Sequence, residues 1–334
     1  MKKKILVLGS SSFSGASMVN FLLNKKKYLI YGTYRRKKGK PYLPYLNNKN
    51  YKLFKSYQVD FSKSPKNLLN IITNIKPDYI IDFASICMVN QSWHFPEVYF
   101  QTNVLYKAEI LRYLTKISFL KKYIYISTPE IFGSSNQFIN EDNVNFNPST
   151  PYATSKLSAE ILLKNYFDSY KLPIIIARFS NFYGPGQPIY RLIPKVIACI
   201  DNKIQFSIEG DGKSKRNFIY SHDFCSGIYK TLLKGKKGNT YHFSGDKFYR
   251  TIDIIKIICN LKLYKLKKLI KKIKTRVGQD LIYKLGSLKT RKALGWKPKY
   301  TLKKGLKEVI MYHNNNFIKT SKKNLFYNDK SLSK

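Results

Sequence analysis

The feature that most constrains this chain is its beginning. An apolar run, ILVLG (5–9), breaks into a glycine-rich turn, GSSSFSG (9–15), which opens onto a helically spaced segment, SGASMVNFLLNK (14–25). A buried strand that turns sharply into a helix aims backbone N–H groups and the positive end of the helix at one point, an arrangement that receives a pyrophosphate. The turn reads Gly-x-x-Ser-x-x-Gly, with Ser12 where another glycine is expected; a side chain that small still lets phosphates approach. Gly9, Ser12, Phe13 and Gly15 are therefore candidate dinucleotide contacts.

The alternation that starts there continues. YLIYGTY (28–34), KLFKSYQVD (52–60), DYIIDFAS (78–85), KYIYIST (122–128) and LPIIIARFS (172–180) read as strands, and segments near 67–75, 97–117 and 151–170 as helices. Near-continuous apolar strands separated by helices predict a parallel sheet covered on both faces, a doubly wound α/β (Rossmann) fold. Beyond residue 182 the pattern loosens. NFYGPGQP (181–188) forces a loop, and short strands (204–208, 217–220, 240–243) mix with helices near 192–200, 222–233, 251–259 and 301–313. The expected organisation is a dinucleotide-binding unit over 1–182 and a smaller mixed α/β substrate unit over 183–320. Segment 215–234 is a candidate to return to the first unit, and 321–334 forms a polar tail.

Composition narrows the compartment and the partners. No apolar run approaches the roughly 18–20 residues that cross a bilayer, and MKKKILVLGS is too short in apolar residues for a signal peptide, so a cytoplasmic protein is expected. Cys87, Cys199, Cys225 and Cys259 are scattered, as are the four histidines, so neither a metal site nor a disulfide framework is expected. A net charge of +42 suits a nucleic-acid binder, but the lysines are spread along the whole chain. The densest run, LKLYKLKKLIKKIKTR (261–276), interleaves Leu and Ile with Lys at near-helical spacing, as an amphipathic segment with a solvated face does. Nucleic acid is therefore not the expected partner; the charge would draw in anionic small molecules.

The end of the second strand chooses between cofactors. An acid there bonds a ribose 2′-hydroxyl and an arginine favours a 2′-phosphate. The chain reads YGTYRRKKGK (31–40), without an acid, so Arg35 and Arg36 favour NADP over NAD. Asp60, closing the next strand, is a candidate acceptor for the adenine amino group.

Two further segments carry chemistry. STPEIFG (127–133) closes a strand and PSTPYATSK (148–156) leads into a helix, where Tyr152 and Lys156 lie four apart on one face. An adjacent ammonium and an oxidised nicotinamide would lower the phenol from its ordinary value of about 10. Such a tyrosine removes a proton from a sugar hydroxyl as hydride leaves the same carbon, with Ser127 or Thr128 sharing the hydrogen bonds. In a chain with 27 tyrosines, Tyr-x-x-x-Lys alone means little; joined to the glycine-rich start and the strand-end Ser-Thr, it becomes specific.

With RFSNFYGPGQ (178–187), RLIP (191–194), EGDGKSKRNFIYSHD (209–223), TRVGQD (275–280) and LGWKP (294–298), these segments resemble the extended short-chain dehydrogenase/reductase family in its nucleotide-sugar 4,6-dehydratase branch. The likeness runs from about residue 4 to 312. It implies a catalytic triad of Thr128, Tyr152 and Lys156, with Tyr152 and Lys156 also against the cofactor, and Glu130 as the base. It places Ser127, Asn181, Leu192, Arg216 and Arg276 against a sugar nucleotide, and it implies a homodimer packed through the helices near 97–117 and 151–170. The implied reaction oxidises C4, removes water across C5 and C6, and returns hydride to C6. The chain departs from the dTDP-glucose group at Pro129, where that group carries an acid, and at Met88, where these enzymes usually carry His. A 4-epimerase and a UDP-glucuronate decarboxylase share the scaffold and are the alternatives. A non-catalytic dinucleotide-binding protein with a polyanion-binding surface is a remoter one.

Overall fold

Residues 2–36, 42–60, 65–274, 281–316 and 325 are described by the computed structural model. The apolar runs become strands β1 (Lys3–Leu8), β2 (Tyr28–Tyr34), β3 (Phe54–Gln58), β4 (Tyr79–Asp82), β5 (Lys122–Ser127), β6 (Ile174–Phe179) and β7 (Thr240–Phe243). They form one parallel sheet in the order β7-β6-β5-β4-β1-β2-β3. Chain order reverses direction between β1 and β4, the switch point at which open α/β sheets leave a crevice beyond the strand ends.

Strand alternation explains why both faces are buried. Ile5 and Val7 face Met18, Val19 and Leu22 of α1 (Phe13–Lys25), while Leu6 and Leu8 face Ile72 of α2 (Lys66–Ile75) and Ile110 and Leu111 of α3 (Tyr106–Leu114). Ala159 and Leu163 of α4 (Pro151–Tyr170) complete that second face. The start of α4 is well specified: the Thr150 hydroxyl accepts from Ala153 N at 3.2 Å, and Pro151 occupies the first turn, where its missing N–H costs nothing.

The helix expected over 97–117 is interrupted. Helix Pro96–Phe100 widens into a π-turn at Gln101–Leu105 before α3 begins, and regular helix stops at Leu114. The wide turn carries buried Asn103, which donates to Ile86 O (3.1 Å) and Ser155 Oγ (3.0 Å) and accepts from Ile86 N (2.9 Å).

A second body rests on the carboxyl edge of the sheet. Strands Phe248–Arg250, Lys215–Tyr220 and Asn181–Tyr183 form a three-stranded sheet. Helices α5 (Leu192–Asp201), Thr251–Leu261 and Leu302–Asn316 close a core of Ile193, Ile197, Ile254, Ile258 and Leu306 beside it. Two sequence expectations change here. The strand at 240–243, grouped with the smaller unit, is the edge strand of the large sheet; a four-residue strand shows nothing of its distant partner, Ile174–Phe179. The segment 215–234 divides: its strand stays in the small sheet, while helix α6 (Ser221–Lys234) packs Phe224, Ile228 and Leu232 onto the large one.

The lysine-rich run 261–276 is not one helix. Leu263, at φ +51°, breaks it, a short helix follows at Leu266–Leu269, and Ile270–Ile273 pairs as a strand with Phe206–Glu209. The polar tail at 321–334 lies outside the described residues except for Leu325, which is buried.

Candidate active site

The strand ends around the switch point open into a cavity of about 1490 Å³, larger than the roughly 300–1,000 Å³ of a pocket for one small molecule. One end is built by the turn after β1. Gly9 holds φ +77°, and Gly15 lies so close that a Cβ there would sit 2.3 Å from the Gly9 carbonyl oxygen. The Ser12 hydroxyl caps α1 by accepting from Gly15 N at 3.0 Å, and Gly9 N donates to Thr33 Oγ1 at 3.2 Å. Gly9, Ser12 and Phe13 line the cavity while Gly15 lies beneath it. Arg35 and Arg36 arrive from the end of β2, and Asp60 from just past β3. The Phe13 ring stacks on Phe182 at 4.5 Å and 7°, and Phe182 stacks on Phe224 at 4.3 Å.

The other end comes from β5, α4 and the loop that follows Asn181–Tyr183. Ser127, Thr128, Glu130, Tyr152, Lys156, Asn181 and Leu192 all line the same cavity. Thr128 accepts from Glu130 N at 3.3 Å and so caps the short turn Pro129–Phe132 that presents Glu130. Lys156, 2% exposed, donates to Ile126 O at 2.8 Å and Ser85 Oγ at 3.0 Å. Arg178 on β6 holds Glu160 of α4 through Nε at 3.0 Å, an ion pair that fastens the tyrosine-bearing helix to the sheet.

Arg216 does not line the cavity. Its guanidinium stands 4.5 Å from the centre of the Tyr283 ring, and Tyr283 donates to Asn181 Oδ1 at 2.6 Å on the cavity wall. Arg276, with the segment TRVGQD, lies outside the described residues.

Electrostatics alter one expectation. Burial, then the Glu130 carboxylate and Cys87, push the Tyr152 phenol well above its usual value; hydrogen bonding from Thr128 and the Arg191 charge only partly oppose them. Burial and the neighbouring Lys107 drive Lys156 down to about 7, against Asp82 and Glu160, which pull it up. The protein alone therefore keeps Tyr152 as a neutral phenol. Desolvation is the largest influence on the phenol, and the lowering expected from the ammonium together with an oxidised nicotinamide rests on the cofactor's charge.

Sequence reasoning passed over three residues. Arg191 lines the cavity and its Nη2 lies 3.3 Å from Cys87 Sγ, also on the wall. It stands directly before Leu192, so the RLIP segment held the signal. Asn103, bonded to Ser155 on the tyrosine-bearing helix, gave none, because its partners are distant in sequence.

The residues present fit a nicotinamide dinucleotide. A capped helix N-terminus and a glycine turn open into the cavity. Ser127 Oγ, Thr102 Oγ1 and Gln187 Oε1 line it, buried and without a hydrogen-bond partner among the described residues.

Comparison with known proteins agrees. The profile of the GDP-mannose 4,6-dehydratase family matches residues 6–309. A dTDP-D-glucose 4,6-dehydratase of Dictyostelium discoideum is 32% identical over 282 residues, 78% of this chain but only 62% of that protein's length. The human dTDP-D-glucose 4,6-dehydratase is 29% identical over 325 residues, covering 94% of this chain and 91% of that protein's length. Among solved structures, a Bacillus anthracis dTDP-glucose 4,6-dehydratase in complex with NAD aligns at TM-score 0.83 and 26% identity, covering 94% of this chain and 97% of that one. A Bacillus cereus UDP-glucuronic acid 4-epimerase shares the fold at TM-score 0.84 and 24% identity, covering 94% of this chain and 99% of its own. The family match runs from the first strand into the last helix of a sheet whose switch point holds a dinucleotide-sized cavity: the chain belongs to the GDP-mannose 4,6-dehydratase family of extended short-chain dehydrogenase/reductases.

Proposed function

We propose that this protein is a nucleotide-sugar 4,6-dehydratase that converts a nucleoside-diphosphate hexose to the 4-keto-6-deoxy sugar. The observation that carries the reading is the convergence of Thr128, Glu130, Tyr152 and Lys156 on one cavity lined at its other end by the Gly9 turn.

The turn and the α1 N-terminus hold the pyrophosphate of NAD or NADP, with Asp60 toward the adenine and Tyr152 and Lys156 toward the nicotinamide end. When bound, the nicotinamide supplies the hydride acceptor for C4 and the hydride donor for C6. Tyr152, hydrogen-bonded to Thr128, takes the proton of the C4 hydroxyl as its phenolate, the form that the positive charge of an oxidised nicotinamide would stabilise. The resulting ketone acidifies C5, and Glu130 removes that proton and passes it to the C6 hydroxyl, which leaves as water. Ser127, Asn181 and Leu192 are assigned to the sugar nucleotide, with Arg276 by resemblance; an arginine fork suits diphosphate oxygens. Arg35 and Arg36 at the cavity edge support NADP, and the Bacillus anthracis relative's bound NAD supports the alternative.

Among the described residues no helix is long and apolar enough to cross a membrane. Exposed Leu105 and Ile161, on the segments near 97–117 and 151–170, support a homodimer packed through them.

The names of the relatives make dTDP-glucose the first substrate to try, followed by GDP-mannose and UDP-glucose, each with NAD or NADP and with product mass as the readout. Loss of one water that disappears in Glu130→Gln supports the dehydratase. Pro129, which has no proton to give, is the observation that favours a second reading, a 4-epimerase. Unchanged mass with an inverted C4 centre selects it.

A further inference from the structure

At and behind the cavity wall, two buried lysines stand near one carboxylate, and one of them pairs with it. Lys107 of α3, 2% exposed, pairs with fully buried Asp82 at the end of β4. Asp82 is engaged through both oxygens: Oδ1 accepts from Ala84 N at 2.9 Å, and Oδ2 accepts from both the Lys107 ammonium and the Tyr123 hydroxyl. The second lysine is Lys156. Its ammonium stands 4.1 Å from the centre of the Tyr125 ring, and that of Lys107 stands 5.4 Å from the same ring.

The proposed reaction gives Asp82 and Lys107 nothing to do. A buried ion pair rarely stabilises a fold more than apolar side chains of the same volume, because desolving two charges offsets their attraction. What distinguishes this pair is its neighbour. Lys156 is a flexible cation, and Asp82 is the carboxylate behind the loop on which it rests. Left unneutralised, Asp82 would draw Lys156 away from Ser85 and Ile126.

We propose that Asp82 and Lys107 are positioning residues for Lys156. Lys107 occupies the carboxylate, so that Lys156 stays on Ile126 O and Ser85 Oγ at the cavity. Asp82 in turn holds the Ala84 amide, and with it the start of the loop carrying Ser85. The charged groups acting on Lys156 are Lys107 from α3, Asp82 from β4, Glu160 from its own helix and Cys87 from the loop after β4. Lys107 and Asp82 act on its proton with opposite signs, which makes the pair testable.

The inference rests on the dehydratase reading only in setting Lys156 against the cofactor, so the test uses cofactor binding with no sugar nucleotide present. Dinucleotide affinity of the full-length protein is measured by calorimetry across pH 6–10, with Lys156→Met identifying which midpoint belongs to Lys156. Lys107→Met moves that midpoint up by about one pH unit, Asp82→Asn moves it down, and Lys107→Arg leaves it in place. Thermal melting confirms that each variant is folded; if Lys107→Met is not, Asp82→Asn decides. A midpoint that stays put in both charge-removing variants, moves the same way in both, or is missing from the wild type overturns the proposal. Failure of the dehydratase reading would show in product mass and leave these midpoints untouched.

Discussion

Lys156 donates to the backbone carbonyl of Ile126 at 2.8 Å, tying the helix that carries Tyr152 to the strand that leads into Thr128. The lysine is thus held by main chain and by Ser85, on the same cavity wall as the tyrosine. Desolvation is the largest influence on both side chains.

The proton on Lys156 links stability to pH. Its value falls from 10.5 to about 7 on folding, so between those limits the unfolded chain binds the proton and the folded chain does not. Folding is then favoured increasingly as pH rises across that window, by up to about 1.4 kcal/mol per pH unit from this group alone. Below about 7 both states are protonated and the full cost of burying the charge remains. Lys156→Met removes the dependence: the variant is the more stable near pH 7, and its advantage shrinks toward pH 10. Chemical denaturation at several pH values checks this, and a constant difference would locate the depressed proton elsewhere.

Tyr152→Phe keeps the ring that meets Tyr99 at 6.4 Å and loses only the hydroxyl. Turnover should fall by about 10²–10⁴, the worth of a positioned acid–base group, with melting temperature and dinucleotide affinity close to wild type. Single-turnover measurement of C4 oxidation is the direct readout. A turnover drop matched by lost affinity would make Tyr152 a binding group.

Gly15→Ala tests the turn. Its added methyl would meet the carbonyl oxygen of Gly9 at 2.3 Å, and the neighbouring atoms are backbone, which cannot swing aside. The expected cost is about 1–3 kcal/mol in unfolding free energy, with a weaker dinucleotide complex because the turn must open. Urea melts and calorimetric titration report the two effects separately.

The arginines after β2 test cofactor choice. Replacing both Arg35 and Arg36 by Ala should weaken NADP binding by about tenfold or more, since a charge-assisted hydrogen bond contributes about 1.5–3 kcal/mol, and leave NAD binding nearly unchanged. Equal losses for both dinucleotides would assign the pair to general attraction of anions.

Much of this architecture was legible because local rules and global fold agree. YLIYGTY is a strand over the whole of 28–34, and the helix over 151–170 starts at a Thr-Pro cap and ends where Lys171 turns to φ +55°. What escaped was decided by distant partners. The edge strand at 240–243 exists because Ile174–Phe179 offers it an open side, and the π-turn at Gln101–Leu105 carries an asparagine that reaches Ile86 and Ser155. Lys107 looks like one more surface lysine of a strongly basic chain until Asp82 is found beside it. The phenol's upward shift likewise depends on how far Tyr152 sinks from water, which spacing does not encode.

One residue, Ser180, separates the end of β6 from the strand Asn181–Tyr183, and its hydroxyl donates to Asn217 Oδ1 at 2.9 Å. The large and small sheets are therefore joined here by a rivet, with no linker in which a hinge could sit. Asn217 locks the far side by donating to the carbonyls of Gly245 and Lys247, both at 2.8 Å. At this crossing the two sheets must move as one piece. Opening the cavity to exchange a sugar nucleotide then falls to its loops, and changes in substrate choice among relatives built this way would be written in loop sequence while the angle between the sheets stays fixed.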